Sequence, residues 1–134
     1  MLDKISSAFT AGALGGLANS LAVWFFTTTG FAADVGVNLH LLHPSLTSSW
    51  LSPRLVWGGL WGFLFLIPVL KKSVLLRGLV FSIGPSLFMM FMAFPKMGYG
   101  VYGLSLGTLM PFLVILFNAL WGIAAALWYS AGGE

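Results

Sequence analysis

The sequence predicts an all-α integral membrane protein, an antiparallel bundle of four transmembrane helices. The first observation is composition, because 59% of the 134 residues are hydrophobic and only 7% are charged, whereas a soluble domain carries about 25% charged residues. The second is a set of four apolar stretches, each near the length that an α-helix needs to cross the hydrocarbon core. The third is the tight segment KKSVLLR, residues 71–77, which joins two of these stretches as a hairpin.

The four predicted spans are residues 6–27, 55–70, 78–94 and 104–129. A soluble core helix is usually amphipathic, whereas these stretches are apolar on every face. The first span resembles a secretory signal, since Lys4 precedes it and GFAAD follows. Its apolar run is longer than the core of a signal peptide, so we interpret it as a retained helix. The spans and their connections form one membrane domain, residues 1–134.

The cations predict the orientation of the bundle. With both termini inside the cell, two cations, Arg54 and Lys96, are external, and four are cytoplasmic: Lys4, Lys71, Lys72 and Arg77. This bias favours an N-in, C-in topology, because Lys and Arg are retained on the cytoplasmic side. The chain resembles small bacterial four-span proteins in its general character, which places its expected location in the inner (cytoplasmic) membrane. Six scattered Lys and Arg residues form no patch for nucleic acid.

The connection between the first two spans, residues 28–53, is too apolar for a water-exposed loop, so we expect it to lie at the outer interface or to fold over the bundle. Asp34 in this loop is the predicted ion-pair partner of Arg54 at the outer end of the second span. His40 and His43 are weak metal candidates, since two imidazoles without a third ligand make a poor site. With no cysteine and no other ligand cluster, no metal or cofactor is predicted.

Small residues recur every four positions on the spans. Helices in lipid associate through such GxxxG-like faces, because small side chains let two backbones approach closely. The sequence therefore predicts helix packing on a set of seven small residues: Gly12, Gly16, Ser20, Gly58, Gly62, Gly122 and Ala126. These faces hold the bundle together within one chain or, alternatively, dock a second chain.

Asn19 and Asn118 are the polar residues expected near the middle of the membrane. They occur in similar contexts, LANSL and LFNAL, at similar depths in the first and fourth spans. Either they bridge the two spans by a hydrogen bond, or their amides line a path or a ligand site. Arg54 either anchors its helix at the lipid headgroups or lies at the mouth of a pore.

No combination of residues forms a nucleophile with a base, a phosphate-binding loop or a carboxylate pair. The absence of ionisable groups at the span centres disfavours ion-coupled transport. We therefore expect a noncatalytic accessory subunit or homo-oligomer, whose partners are the bilayer and itself or a larger membrane complex. The alternatives are a homo-oligomeric passive channel or uncoupled transporter, and a subunit that binds a lipid, quinone or pigment.

Overall fold

The fold is all-helical, as predicted. A computed structural model of the protein describes residues 2–132, and the regular elements of that range are helices. The α-helices are α1 (Leu2–Thr28), α2 (Phe31–Asp34), α3 (Ser48–Gly62), α4 (Val74–Phe81), α5 (Ile83–Phe88), α6 (Phe94–Lys96) and α7 (Met110–Ala131). Three 3-10 helices, Leu39–Leu42, Phe63–Leu66 and Val101–Leu106, and a π-helical segment, Met89–Ala93, complete the set.

Three helices of the described range are long and apolar enough to cross a membrane. They are α1, α7 and the helical segment Val74–Lys96, which consists of α4, α5, the π-helical segment and α6. The helix is interrupted at Ser82, near Pro85, whose missing N–H removes one helical hydrogen bond. The chain thus has the helices of a membrane protein.

The predicted second span has different boundaries in the structure. Helix α3 begins at Ser48, not at residue 55, and it continues only through the 3-10 helix that ends at Leu66. Trp50 accounts for the earlier start, because its indole N–H donates to the carbonyl oxygen of Leu42 at 3.3 Å and its ring contacts Arg54, one helical turn later. Residues 48–53 are therefore helical and do not belong to the loop.

The fourth span also starts later than predicted, at Met110 instead of residue 104. Residues 101–106 form a separate 3-10 helix in which Tyr102 and Gly103 have positive φ. Gly107 follows at φ 155°, and a Cβ there would collide with the carbonyl oxygen of Gly36. The close approach of two backbones at this glycine interrupts the helix.

Glycines set the packing of the long helices. Helix α1 packs against both α3 and α7, and α4 packs against α7. Gly12 lies directly against Gly58 and Gly62, where an added Cβ would meet backbone atoms. Gly78 and Gly122 meet in the same way between α4 and α7. The glycine faces are thus occupied by contacts within the chain.

Apolar loop segments cover the end of the bundle at which α1 ends and α7 begins. We call residues 31–42 together with 97–107 the cover. The backbone N–H of Asn38 donates to the carbonyl oxygen of Leu106 at 2.8 Å, which joins the two segments. Val37 and Leu39 are each only 1% exposed. The cover is therefore packed onto the helices.

Candidate intramembrane ligand site

A cavity of about 520 Å³ lies beneath the cover, between α1, α3, α5, the π-helical segment and α7. One wall is polar and carries Asn19, Ser20, Arg54 and Asn118. The opposite wall is apolar and consists mainly of aromatic, methionine and proline side chains. The volume falls within the range of about 300–1,000 Å³ that is typical of small-molecule sites.

Arg54 is held by contacts on two sides of its guanidinium. Its Nε–H donates to the hydroxyl oxygen of Ser20 at 2.7 Å, and an Nη2 hydrogen donates to Oδ1 of Asn19 at 2.8 Å. The ring of Trp50 covers one face, with 4.4 Å between the guanidinium carbon and the ring centroid. The side chain is thereby fixed on the polar wall of the cavity.

Asn19 links Arg54 to the other side of the bundle. Its Nδ2 donates to Oδ1 of Asn118 at 3.1 Å, while its own Oδ1 accepts from Arg54. The amide orientation of Asn19 is fixed by this arrangement, because a guanidinium has no acceptor and must face the oxygen. The chain of hydrogen bonds joins α3, α1 and α7.

The predicted ion pair between Arg54 and Asp34 does not form. Asp34 is exposed at the end of α2, whereas Arg54 donates to two residues of α1. The reason is the earlier start of α3, which places Arg54 six residues inside the helix and not at its end. Its partner Asn19 is nine residues before the end of α1, about 14 Å along the axis at 1.5 Å per residue.

Ser20 is buried on α1 and contacts α3. It is 0% exposed, on the same face of α1 as Gly12 and Gly16, but its hydroxyl accepts a hydrogen bond from Arg54. Ala126, the other non-glycine member of the small-residue set, is 1% exposed. Of the polar residues that the sequence singles out, the structure therefore brings together Asn19, Asn118, Ser20 and Arg54.

Aromatic rings close the gap between α3 and α5. Trp57 stacks on Phe88 with 5.9 Å between ring centroids and 28° between planes, and Trp61 meets the same phenylalanine edge-on at 5.7 Å. Trp57 lines the cavity and is 55% exposed. Met89 continues this wall within the π-helical segment, a distortion that is frequent at functional sites.

Trp121 occupies the deep end of the cavity, where α1, α3 and α7 meet. It is 3% exposed, and its indole N–H donates to the carbonyl oxygens of Gly12 at 3.0 Å and Gly58 at 3.3 Å. The glycines leave these carbonyls accessible, because no side chain stands between the helices. At the opposite end, Leu39 and Leu42 of the cover line the cavity.

Arg77, expected from the sequence to be a cytoplasmic cation, is instead buried within the chain. It is 1% exposed, and its Nη2 donates to the carbonyl oxygens of Phe65 at 2.7 Å and Ile67 at 3.0 Å. We call α3 together with the 3-10 helix that continues it, residues 48–66, the α3 segment. These carbonyls lie at its end, where Pro68 prevents the helix from continuing. Pro68 is the sequence feature that could have indicated this contact, because the carbonyl oxygens left free at a helix end need a hydrogen-bond donor.

His40 and His43 lie apart from the cavity wall, in and just after a 3-10 helix of the cover, and both are exposed. No group of three or more His, Asp or Glu side chains within residues 2–132 is arranged to hold a metal ion. The two histidines therefore gain no third ligand in the described part of the chain.

The cavity offers a fixed cation, two amides and an extensive apolar wall, which is the chemistry of a binding site. Among residues 2–132, those that line it include no carboxylate, histidine or cysteine. No protein-family model, curated protein or solved structure matches this chain.

Proposed function

We propose that this protein is a noncatalytic integral membrane protein that binds an amphipathic molecule of the bilayer, such as a lipid, quinone or pigment. The observation that supports this proposal is the cavity: α1, α3 and α7 contribute its polar side chains, whereas α5 and the π-helical segment contribute apolar ones. A site of this kind recognises a ligand by a few polar groups and retains it by apolar burial.

The proposed architecture is a four-helix bundle in a bacterial inner membrane, with both termini in the cytoplasm. The α3 segment is the fourth membrane helix, together with the three that are long enough to span alone. The excess of cations at the N-terminus and at the hairpin between α3 and α4 supports this orientation. The cover then lies at the outer surface, and Arg54 lies below it within the hydrocarbon core.

The ligand is proposed to enter from the lipid phase, between α3 and α5. The cover joins its two segments by a backbone hydrogen bond and places Leu39 over the outer end of the cavity. The α3–α5 side is closed only by side chains, chiefly by the half-exposed Trp57 stacked on Phe88. Rings can rotate aside without breaking backbone hydrogen bonds.

The packing favours ligand binding over the two other candidate functions, an accessory subunit or homo-oligomer and a passive channel or uncoupled transporter. Gly12, Gly58 and Gly122 are in contact with glycines of the same chain, so an accessory subunit or homo-oligomer would have to associate through a different face. A passive channel would need a continuous polar path, whereas Leu39 and Trp121 stand at the two ends of the cavity. Asn19 and Asn118 face a space within the chain.

Two tryptophan substitutions in the π-helical segment test the proposal. Met89 lines the cavity, whereas Met92 is 52% exposed on the outer surface of the same segment. Met89→Trp fills the cavity, and Met92→Trp adds the same bulk outside it. Both variants and the wild-type protein are purified from native membranes in a mild detergent, and the organic extract of each is identified by mass spectrometry.

We expect one small molecule at about one copy per chain with the wild-type protein and Met92→Trp, and at least about tenfold less with Met89→Trp. Thermal unfolding of all three proteins establishes that Met89→Trp is folded. Equal amounts of every extracted molecule in the three preparations would contradict a ligand site in this cavity.

A further inference from the structure

We infer that the ligand of the cavity carries an oxyanion, a phosphate or a carboxylate, that binds to the guanidinium of Arg54. This inference rests on the proposed function and adds the chemical class of the ligand's polar end. It follows from the donors of Arg54, from the charge of its neighbours and from its position in the membrane.

The guanidinium has donors to spare for a ligand. An arginine side chain carries five N–H groups, and Arg54 uses one on Nε for Ser20 and one on Nη2 for Asn19. Within residues 2–132 the remaining three have no acceptor, while the residue lines the cavity. The remaining N–H groups include both hydrogens of Nη1 and the second hydrogen of Nη2, which lie along adjacent edges of a planar fork. That geometry matches the two oxygens of a carboxylate or phosphate.

The partners of Arg54 leave its charge uncompensated. They are a hydroxyl, an amide oxygen and an indole ring, and none of them carries a negative charge. A cation within the hydrocarbon region costs several kcal/mol unless it is paired. An anionic ligand head would supply the missing charge, and a neutral head would not.

The rest of the cavity fits the apolar part of such a ligand. Trp57, Trp61 and Met89 line the space beyond the polar wall. An amphiphile with a single chain can therefore place its anionic end at Arg54 and its chain between α3 and α5. A free anion such as inorganic phosphate would satisfy Arg54 but would leave the apolar wall without a partner.

The test compares three alkyl ligands that differ at their polar end, together with a free anion that has no alkyl chain. Dodecyl phosphate, dodecanoate, 1-dodecanol and inorganic phosphate are titrated against the protein in a sterol-based detergent, which has no alkyl chain to occupy the cavity. Dissociation constants come from native mass spectrometry and from thermal stabilisation. The proteins are wild type, Arg54→Gln, Arg54→Lys and the cavity-filling Met89→Trp.

We expect the wild-type protein to bind dodecyl phosphate and dodecanoate about 10- to 100-fold more tightly than 1-dodecanol, as charge-assisted hydrogen bonds predict. Arg54→Gln should abolish this preference and still bind the alcohol, while Arg54→Lys should retain part of it because the charge remains. Met89→Trp should weaken all three alkyl ligands.

The other outcomes separate this inference from the proposed function. Equal affinity of the wild-type protein for the alcohol and the anions, with loss of both in Met89→Trp, would overturn the inference and leave the ligand site in place. If inorganic phosphate binds through Arg54 and dodecyl phosphate binds no more tightly, the result would support an oxyanion at Arg54 and contradict an amphipathic ligand. If Arg54→Gln is unfolded, Arg54→Lys replaces it in the comparison. If Arg54→Lys then binds every anion as tightly as the wild-type protein, with the same preference over 1-dodecanol, the result would contradict a role of the planar guanidinium.

Discussion

At the scale of single residues, the decisive feature is the chain of hydrogen bonds from Arg54 through Asn19 to Asn118. The two asparagines could be singled out from the sequence, since they are polar residues in otherwise apolar spans and have similar contexts. The participation of Arg54 could not, because its depth depends on where α3 begins. One residue of helical register decides whether a cation faces lipid or a neighbouring helix.

Substitution of the asparagines tests whether they act as a pair. Asn19→Leu and Asn118→Leu should each lower the free energy of unfolding in detergent, and the double variant should lose less than the sum of the two. The expected coupling is about 0.6–2 kcal/mol. Asn19→Leu should be the more damaging, because Asn19 Oδ1 also accepts from Arg54. The measurement is a double-mutant cycle by thermal or steric-trapping denaturation, and strictly additive losses would contradict the pairing.

Arg77 shows that the position of a cation near a span end does not predict whether its side chain is exposed. A Lys or Arg near a span end is expected to be solvated, yet Arg77 is 1% exposed and donates to two carbonyl oxygens. Its environment is formed by an unwound helix end about ten residues earlier, and by the rings of Phe65, Phe81 and Tyr129. Long-range contacts of this kind have no periodic signature in the sequence.

At the scale of elements, hydropathy predicted the existence of the long helices better than their ends. The first, third and fourth apolar stretches correspond to helices able to span a membrane. The ends of α3 and α7 depend on tertiary contacts: the Trp50 to Leu42 hydrogen bond at one, and the close approach of Gly107 to Gly36 at the other. Such contacts become visible only once distant segments are placed together.

The α1–α3 interface gives a prediction at this scale. Gly12→Ala should destabilise the protein by about 2 kcal/mol, because the new methyl group would meet the carbonyl oxygen of Gly58 and the Cα of Gly62. The loss should appear even though alanine is the better helix former by about 1 kcal/mol. Leu21→Ala is the matched control on α1, since Leu21 is 43% exposed and should change the melting temperature little. Equal stability of Gly12→Ala and wild type would contradict the tight approach of the two helices.

At the scale of the whole molecule, composition and the apolar stretches predict an all-helical membrane protein, and the structure confirms the all-helical fold and three helices long and apolar enough to span a membrane. The arrangement of helices was less accessible from sequence. Small-residue faces predict close packing but not the partner, because every long helix carries such a face. The cavity was not predictable, since it arises from the gap between α3 and α5 and not from any local pattern.

The orientation in the membrane can be mapped directly, because the chain has no cysteine and each introduced cysteine is therefore unique. With N-in, C-in topology, Lys71→Cys and Lys72→Cys should react with a membrane-impermeant maleimide only after the cells are opened. Asp34→Cys and Lys96→Cys should react in intact cells. The reverse pattern would contradict the proposed orientation, and the same pattern at all four positions would contradict a membrane crossing between residues 34 and 71 and another between residues 72 and 96.

The hydrogen bonds of Arg54 also bear on how the protein is made. Helix α3 is short and carries a charge, which raises the free energy of moving it alone from water into lipid by about 2.5–3.5 kcal/mol. Its two side-chain acceptors, Asn19 and Ser20, lie on α1, which the ribosome completes before it begins α3. The first helix thus provides side-chain acceptors that replace water around the guanidinium before α3 is synthesised. In the proposed membrane topology, α3 can therefore insert beside a helix that already holds hydrogen-bond partners for its charge.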